Sequence, residues 1–203
     1  MVRVQSALLI RALVAVMLVT CGASVAGGGD LSGVTVTVLD GRAVKPFAFG
    51  PHAARASVFV FTRSDCPIAN RYAPDLERLQ REAAAARVDF WIVFVDPSES
   101  GARIREHLKR FAYTGRALRD ARHDLARAAG ATIAPEAAVF VRDGGVPRLV
   151  YRGRIDDRYQ APGRMRPAAS THDLEEVIRR VRDAGSLVLR ETEAVGCIIA
   201  DLR

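Results

Sequence analysis

The sequence predicts an α/β protein in which a central mixed sheet is flanked by helices. Three observations lead there. Apolar runs of strand length at residues 56–61, 88–95 and 137–142 are separated by segments whose apolar residues recur at helical spacing. Gly144-Gly145 lies between two strand-like runs and reads as a hairpin turn, which brings antiparallel pairing into a sheet otherwise built from strand–helix–strand units. A lone cysteine followed by proline, Cys66-Pro67, stands where the first long apolar run gives way to a helix.

In chain order, residues 34–38 form a β-branched run closed by the turn Asp40-Gly41, and residues 42–55 are loop-like. The strand at 56–61 follows. Behind Cys66, Ile68, Tyr72, Leu76, Leu79 and Ala83 lie on one face of a helix that reaches residue 86. Pro74 within it predicts a kink or a late start. The run 88–95 is apolar enough to be covered on both faces, and Asp96-Pro97-Ser98 ends it. A helix over 100–111 places Ile104, Leu108 and Phe111 together, and another over 120–129 stops at Gly130. Pro135 interrupts before the strand at 137–142, and the hairpin returns over 148–155. Residues 156–170 read as a long polar loop. The last helix, 173–184, buries Leu174, Val177, Ile178 and Val181 and is stopped by Gly185.

The 203 residues divide into a targeting segment (1–26), a flexible linker (27–33), one domain (34–185) and a tail (186–203). Arg3 and Arg11 give the segment a positive start, its apolar stretch at 13–19 is short for a bilayer, and Ser24-Val25-Ala26 suits a signal peptidase. The mature chain is then expected in the periplasm or secreted, with no transmembrane span once the signal is removed. Cys21 offers a lipid anchor as a second reading, which Thr20 before it fits poorly. Hydrophobic residues make up 49%, which excludes a disordered chain. The net charge is +7, but the arginines interleave with acids, as in residues 119–124, so a solvated surface is expected and no nucleic-acid partner. Neither a Gly-x-Ser-x-Gly elbow nor a phosphate-binding glycine loop occurs, and no cofactor is expected.

A cysteine at a strand-to-helix junction sits near the helix's positive end, which stabilises the reactive thiolate. Cys66 therefore points to a thiol redox protein. Without the targeting segment, Cys66 and Cys197 are the cysteines that remain. Three residues after Cys66 stands Ala69, so the local dithiol of a thioredoxin-type reductase is absent. A mixed disulfide at Cys66 would have Cys197 as its resolving candidate. The span from Gly185 to Cys197 reaches roughly 40 Å at about 3.3 Å per residue, against a radius of gyration near about 15 Å. The other reading of Cys197 is a small apolar residue packed by Val195, Ile198 and Ile199.

Four segments carry a family resemblance: Asp65-Cys66-Pro67-Ile68-Ala69-Asn70-Arg71-Tyr72, Ala134-Pro135-Glu136, Tyr151-Arg152-Gly153-Arg154-Ile155-Asp156-Asp157 and Thr192-Glu193-Ala194-Val195-Gly196-Cys197. Together they resemble the thioredoxin-fold AhpC/TSA redoxin superfamily, especially its peroxiredoxin-like exported group. The resemblance implies a thioredoxin-like fold over about residues 34–200. It implies a cis Pro135 opposite Cys66, with backbone beside that proline that pairs with an extended substrate. It also implies a thiol oxidoreductase or peroxidase acting on a peroxide or on a thiol or disulfide protein partner. The peroxidase pattern asks for Thr or Ser three residues before the cysteine and Pro seven before, where this chain has Arg63 and Phe59. Arg154, which ends the strand expected near the proline loop, is the first choice for a charge that lowers the thiol pKa, ahead of Arg63, Arg71 and Arg152. Glu136, next to Pro135, is the candidate proton carrier. Asp65 would oppose a thiolate unless it points away or relays protons, and Asp156 and Asp157 either bind a cation or cap a turn.

The alternative class is a non-catalytic copper or thiol-partner binding module of Sco-like type, which uses two cysteines four apart and a distant histidine. Asn70 stands where the second cysteine would be. Among His52, His107, His123 and His172 no pair has metal-ligand spacing; His107 and His123 are expected on helix surfaces and His172 at a helix start. No metal site is expected.

Overall fold

The computed structural model describes residues 31–48, 54–200 and 202, and no helix among them is long and apolar enough to cross a membrane. The targeting segment, Cys21 and His52 lie outside the described residues. A 3-10 turn at Leu31–Gly33 leads to β1 (Val36–Val38) and β2 (Ala43–Val44), and the chain then enters β3 (Ala56–Thr62). All seven residues of β3 are buried. Val58 and Val60 face a cluster with Leu76, Leu79 and Ile92; Phe59 and Phe61 face another with Phe47, Leu125 and Phe140. A strand covered on both faces needs no polar alternation, which is why its sequence is an unbroken apolar run.

The helix after Cys66 is two pieces, α1 (Pro67–Arg71) and α2 (Ala73–Ala85). They share the expected apolar face, but Pro74 has no N–H to donate, so the axis breaks at Tyr72 and Pro74 falls in the first turn of α2. β4 (Val88–Phe94) pairs parallel with β3. α3 (Gly101–Arg110) starts where Ser100 Oγ accepts the Arg103 N–H at 3.3 Å.

Next comes β5 (Arg116–Arg119), which the sequence does not predict: only Ala117 and Leu118 are buried, between two arginines. α4 (Asp124–Ala129) begins later than expected. Asp120 stays outside it and accepts the Ala126 N–H at 2.8 Å, and His123 turns the chain at φ 59°. Gly130 closes the helix at φ 68°, as expected.

Beyond β6 (Ile133–Ala134) the Ala134–Pro135 peptide bond is cis, in agreement with the resemblance. β7 (Glu136–Asp143) and β8 (Val146–Gly153) form the expected hairpin, with Gly144 and Gly145 both at positive φ. The long polar loop contains a small hairpin, β9 (Tyr159–Ala161) with β10 (Arg164–Met165). α5 (Asp173–Arg182) buries Leu174, Val177, Ile178 and Val181. The tail adds β11 (Arg190–Glu191) and β12 (Cys197–Ile198).

The main sheet runs β11-β8-β7-β3-β4-β5-β1-β2. β3, β4 and β5 are parallel, and β7, β8, β1 and β2 join antiparallel, so the sheet is mixed. The order places the ends of β3 and β7 side by side: Phe61 pairs with Glu136. The residues just past one strand end and just before the other, Cys66 and Ala134-Pro135, therefore meet.

Candidate active site

Cys66 is the N-cap residue of α1 in extended conformation, and its carbonyl accepts the Asn70 N–H at 3.0 Å. The residue is 0% exposed, and its Sγ donates to the Ala134 carbonyl at 3.1 Å across the junction of β3 and β6. The loop before it is held from two sides. Glu99 accepts from the Ser64 N–H at 3.1 Å and from the Ser64 hydroxyl, and the Asn70 side-chain amide donates to the Ser64 carbonyl at 2.9 Å. The thiol thus stands on a clamped turn, which fixes its direction.

The tail brings the second thiol to this place. β12 pairs antiparallel with β6, with Cys197 opposite Ala134 and Ile198 opposite Ile133. Cys197 lies in hydrogen-bonding contact with Cys66, and both cysteines are free thiols. Burial, then the hydrogen bond and charge of Cys66, push the Cys197 thiol up to about 12. Cys197 is therefore protonated at neutral pH. Two of those three causes belong to Cys66 and vanish when that sulfur is removed. Alkylation of Cys197 is accordingly expected to keep rising with pH after an ordinary cysteine, at about 8.5, has levelled off. Cys66→Ser is expected to bring the midpoint down. A midpoint that stays in place, measured by iodoacetamide kinetics read at Cys197, would show that the two sulfurs do not interact.

The other candidates occupy different places. Arg154 is turned toward α5: its Nε donates to Asp173 Oδ2 at 2.8 Å and its Nη2 to Thr171 Oγ1 at 3.3 Å. Arg63 acts on the thiol pair instead, its positive charge lowering the Cys197 pKa against the opposing charge of Asp65. Asp65 and Arg63 form a two-pronged pair at 2.9 and 3.0 Å, so the carboxylate beside Cys66 is neutralised at short range. Arg152 binds the Gly130 carbonyl and Glu191, and Arg71 reaches Met165 Sδ. Pro135 is buried directly after the carbonyl that Cys66 contacts. Glu136 is buried, with Oε2 accepting the N–H groups of Thr132 and Ile133 at 2.8 and 3.1 Å, so it braces the β6 turn.

Asp156 accepts from the Tyr72 hydroxyl at 2.6 Å. Asp157 caps the turn at Ser170 and Thr171, whose hydrogen bonds hold its carboxyl far below the usual range. His107 and His123 are buried, not on helix surfaces. The His107 ring packs on Phe94 and Phe111, and His123 Nε2 lies 2.6 Å from the Val95 carbonyl. His172 is exposed at the start of α5, as expected. Among the described residues no group of three or more His, Cys, Asp or Glu side chains is placed to hold a metal ion.

Sequence reasoning missed Glu99, Asp173 and Gly196. Gly196 carries the clearest structural demand, since a Cβ there would overlap the Ala134 carbonyl. The Val195-Gly196-Cys197 string held that signal, but only the position of β6 gives it meaning. An apolar groove of about 430 Å³ opens beside Cys197, lined by Pro67, Ile68, Tyr159, Met165 and Gly196.

Residues 45–161 match the model of the Redoxin family. Among solved structures, the chain is similar to a hypothetical protein from Sinorhizobium meliloti, with TM-score 0.66 and 21% identity, covering 81% of this chain and 88% of that one. An uncharacterized conserved protein from Geobacillus kaustophilus gives TM-score 0.63 and 23% identity, covering 81% and 86%. A secreted Mycobacterium tuberculosis disulfide oxidoreductase, homologous to DsbE of E. coli, gives TM-score 0.50 and 19% identity, covering 76% and 97%. These likenesses fix the fold as thioredoxin-like. No curated protein matches the sequence.

Proposed function

Since the chain belongs to the Redoxin family, we propose that it is an exported thiol oxidoreductase in which Cys66 is the nucleophile and Cys197 the resolving thiol. The observation that carries the reading is the contact of the two thiols beside Ala134, made by a tail strand paired in register with β6. The raised pKa of Cys197, caused by burial and by Cys66, suits a thiol that waits for the first bond to form. Cys66, at the N-cap of α1 on the turn clamped by Glu99 and Asn70, is taken as the sulfur that forms the first bond.

With a disulfide substrate, the Cys66 sulfur attacks one sulfur and the other leaves as a thiol. With a hydroperoxide, the Cys66 sulfur takes one oxygen to become a sulfenic acid, and an alcohol or water leaves. In both cases the Cys66 sulfur is bonded to a new partner, and Cys197 loses two of the causes that hold its proton. Its sulfur then attacks Cys66. The products are a Cys66–Cys197 disulfide and either the second substrate thiol or water. A thiol partner returns the pair to the dithiol state. Export rests on the arginines, apolar stretch and Ser24-Val25-Ala26 of the first 26 residues.

Peptide mapping after one equivalent of oxidant is expected to find Cys66 joined to Cys197 within one chain. Recovery of both thiols free, or of an over-oxidised Cys66 beside an untouched Cys197, would remove the resolving role.

A further inference from the structure

The stretch that leads to Cys197 is held by polar contacts. Ahead of Thr192 the tail buries little apolar surface: Val188 and Leu189 are 78% and 51% exposed. β11 is two residues long, pairs with β8, and has both residues exposed. What reaches inward from it is the Arg190 guanidinium. Its Nη2 binds Oδ1 of Asp173, and its Nη1 donates to Glu176 Oε2 at 3.1 Å. The Asp173 side chain is 0% exposed in the first turn of α5. Its other oxygen, Oδ2, accepts from Arg154 Nε at 2.8 Å and from the Thr171 hydroxyl at 3.2 Å. One buried carboxylate is thus shared by an arginine of the domain and an arginine of the tail. Among the described residues Oδ1 has no hydrogen-bond partner besides Arg190. Undocking the tail therefore leaves half of a buried carboxylate unpaired, which is costly. Arg154 meets the tail a second time. Its backbone N–H donates to the Thr192 hydroxyl at 3.1 Å, beside the bond from the Thr192 N–H to the Arg152 carbonyl at 3.0 Å. Residues 193–196 then lead to Cys197, and Ile199, buried in an apolar cluster, holds the far end.

We propose that Asp173 is a positioning residue for Cys197. Its carboxylate latches β11 through Arg190 and so sets the effective concentration at which the tail presents its sulfur to Cys66. The proposal rests on the reading of Cys197 as the resolving thiol and names what aims it. It also gives Arg154 a task away from the thiols: Arg154 fixes the carboxylate, the carboxylate fixes Arg190, and Arg190 fixes the strand. In the closing step two thiols are oxidised: one S–S bond forms, two protons leave, and two electrons pass to the oxidant. A tethered thiol favours that bond in proportion to its effective concentration. Without the latch the two-residue strand leaves β8 readily, and the Cys197 sulfur spends less time beside Ala134.

Two measurements on the full chain test this. The first needs no thiol chemistry: hydrogen exchange of the reduced protein, read by mass spectrometry over residues 190–199. Arg190→Gln and, separately, Asp173→Asn are each expected to raise exchange there at least about tenfold, with circular dichroism and exchange in α2 as in the parent. Arg180→Gln removes another arginine bound to Glu176 without touching the tail, and is expected to leave exchange there unchanged. The second measurement equilibrates the protein with glutathione and glutathione disulfide, so that each Cys66–Cys197 bond formed converts one glutathione disulfide to two glutathiones. Both latch variants are expected to lower the closing constant at least about tenfold, which raises the reduction potential by about 30 mV. Unchanged exchange in both folded variants would overturn the latch. Faster exchange with an unmoved potential would overturn the positioning role. A parent chain that forms no Cys66–Cys197 bond in this buffer would instead remove the resolving role of Cys197, while the exchange result still decides whether Asp173 holds the tail.

Discussion

Cys66→Ser is expected to lower thiol-dependent turnover by at least about a thousandfold with peroxide and disulfide substrates alike. Serine is close in size and keeps a donor for the Ala134 carbonyl, so the buried turn retains its shape. What is lost is the sulfur: a hydroxyl at neutral pH supplies almost no anion and forms no disulfide. The loss is therefore chemical, and the melting temperature is expected to stay near that of the parent. The contrasting variant is Cys197→Ser. It should still consume one equivalent of oxidant at Cys66 and then stop, because no thiol remains beside Ala134 to resolve the product. A single-turnover measurement separates the two variants. Full steady-state activity in Cys66→Ser would end the reading. Single turnover surviving in Cys66→Ser but not in Cys197→Ser would exchange the roles of the two cysteines.

The core of this site was legible because it rests on local pattern. The apolar run of β3, the cysteine at its end and the helical face through Leu76 and Ala83 are each a statement about consecutive residues. Pro74 announced the break between α1 and α2 by its missing N–H. Other elements are defined by their neighbours. β5 has two buried residues between arginines and is a strand because β4 and β1 flank it. β12 has two residues, and its register is set by Ala134 and Ile133, 63 and 65 residues away from their partners in the chain. Arg154 looked free to face the thiol because nothing near it in sequence claims it; Asp173, wholly buried at the start of α5, does so through space. Charged neighbours such as Arg105, Glu106 and Lys109 made His107 look like a surface residue, but its ring lies between Phe94 and Phe111. A peptide carbonyl close to Gly196 cannot be inferred from composition at all, because only the pairing of β12 with β6 brings it there.

Phe59→Ala is expected to destabilise the native state by about 3–5 kcal/mol, the cost of a large-to-small change at a fully buried aromatic. Phe59 sits at the middle of β3 with no exposed surface. Its ring meets Phe47 edge-on at 5.6 Å and Phe140 at 6.1 Å, while Phe47 and Phe140 lie 4.9 Å apart. The strand around Phe59 is pinned by β4 on one side and β7 on the other, so the backbone has little freedom to collapse into the space left behind. For a chain of this size each kcal/mol lowers the melting temperature by about 2–4 °C, giving a fall of roughly 6–20 °C. Urea denaturation gives the free energy directly, and a loss under about 1 kcal/mol would mean that the face is not packed as described. The chemistry is expected to separate from this stability. Phe59 and Phe61 point to the Phe140 cluster, and the turn that carries Cys66 is held by Glu99 and Asn70. Well below its melting point, Phe59→Ala should still form the Cys66–Cys197 disulfide at the parental rate. A slowed disulfide in the folded variant would mean that the packing behind β3, and not the clamped turn alone, aims the thiol at its partner.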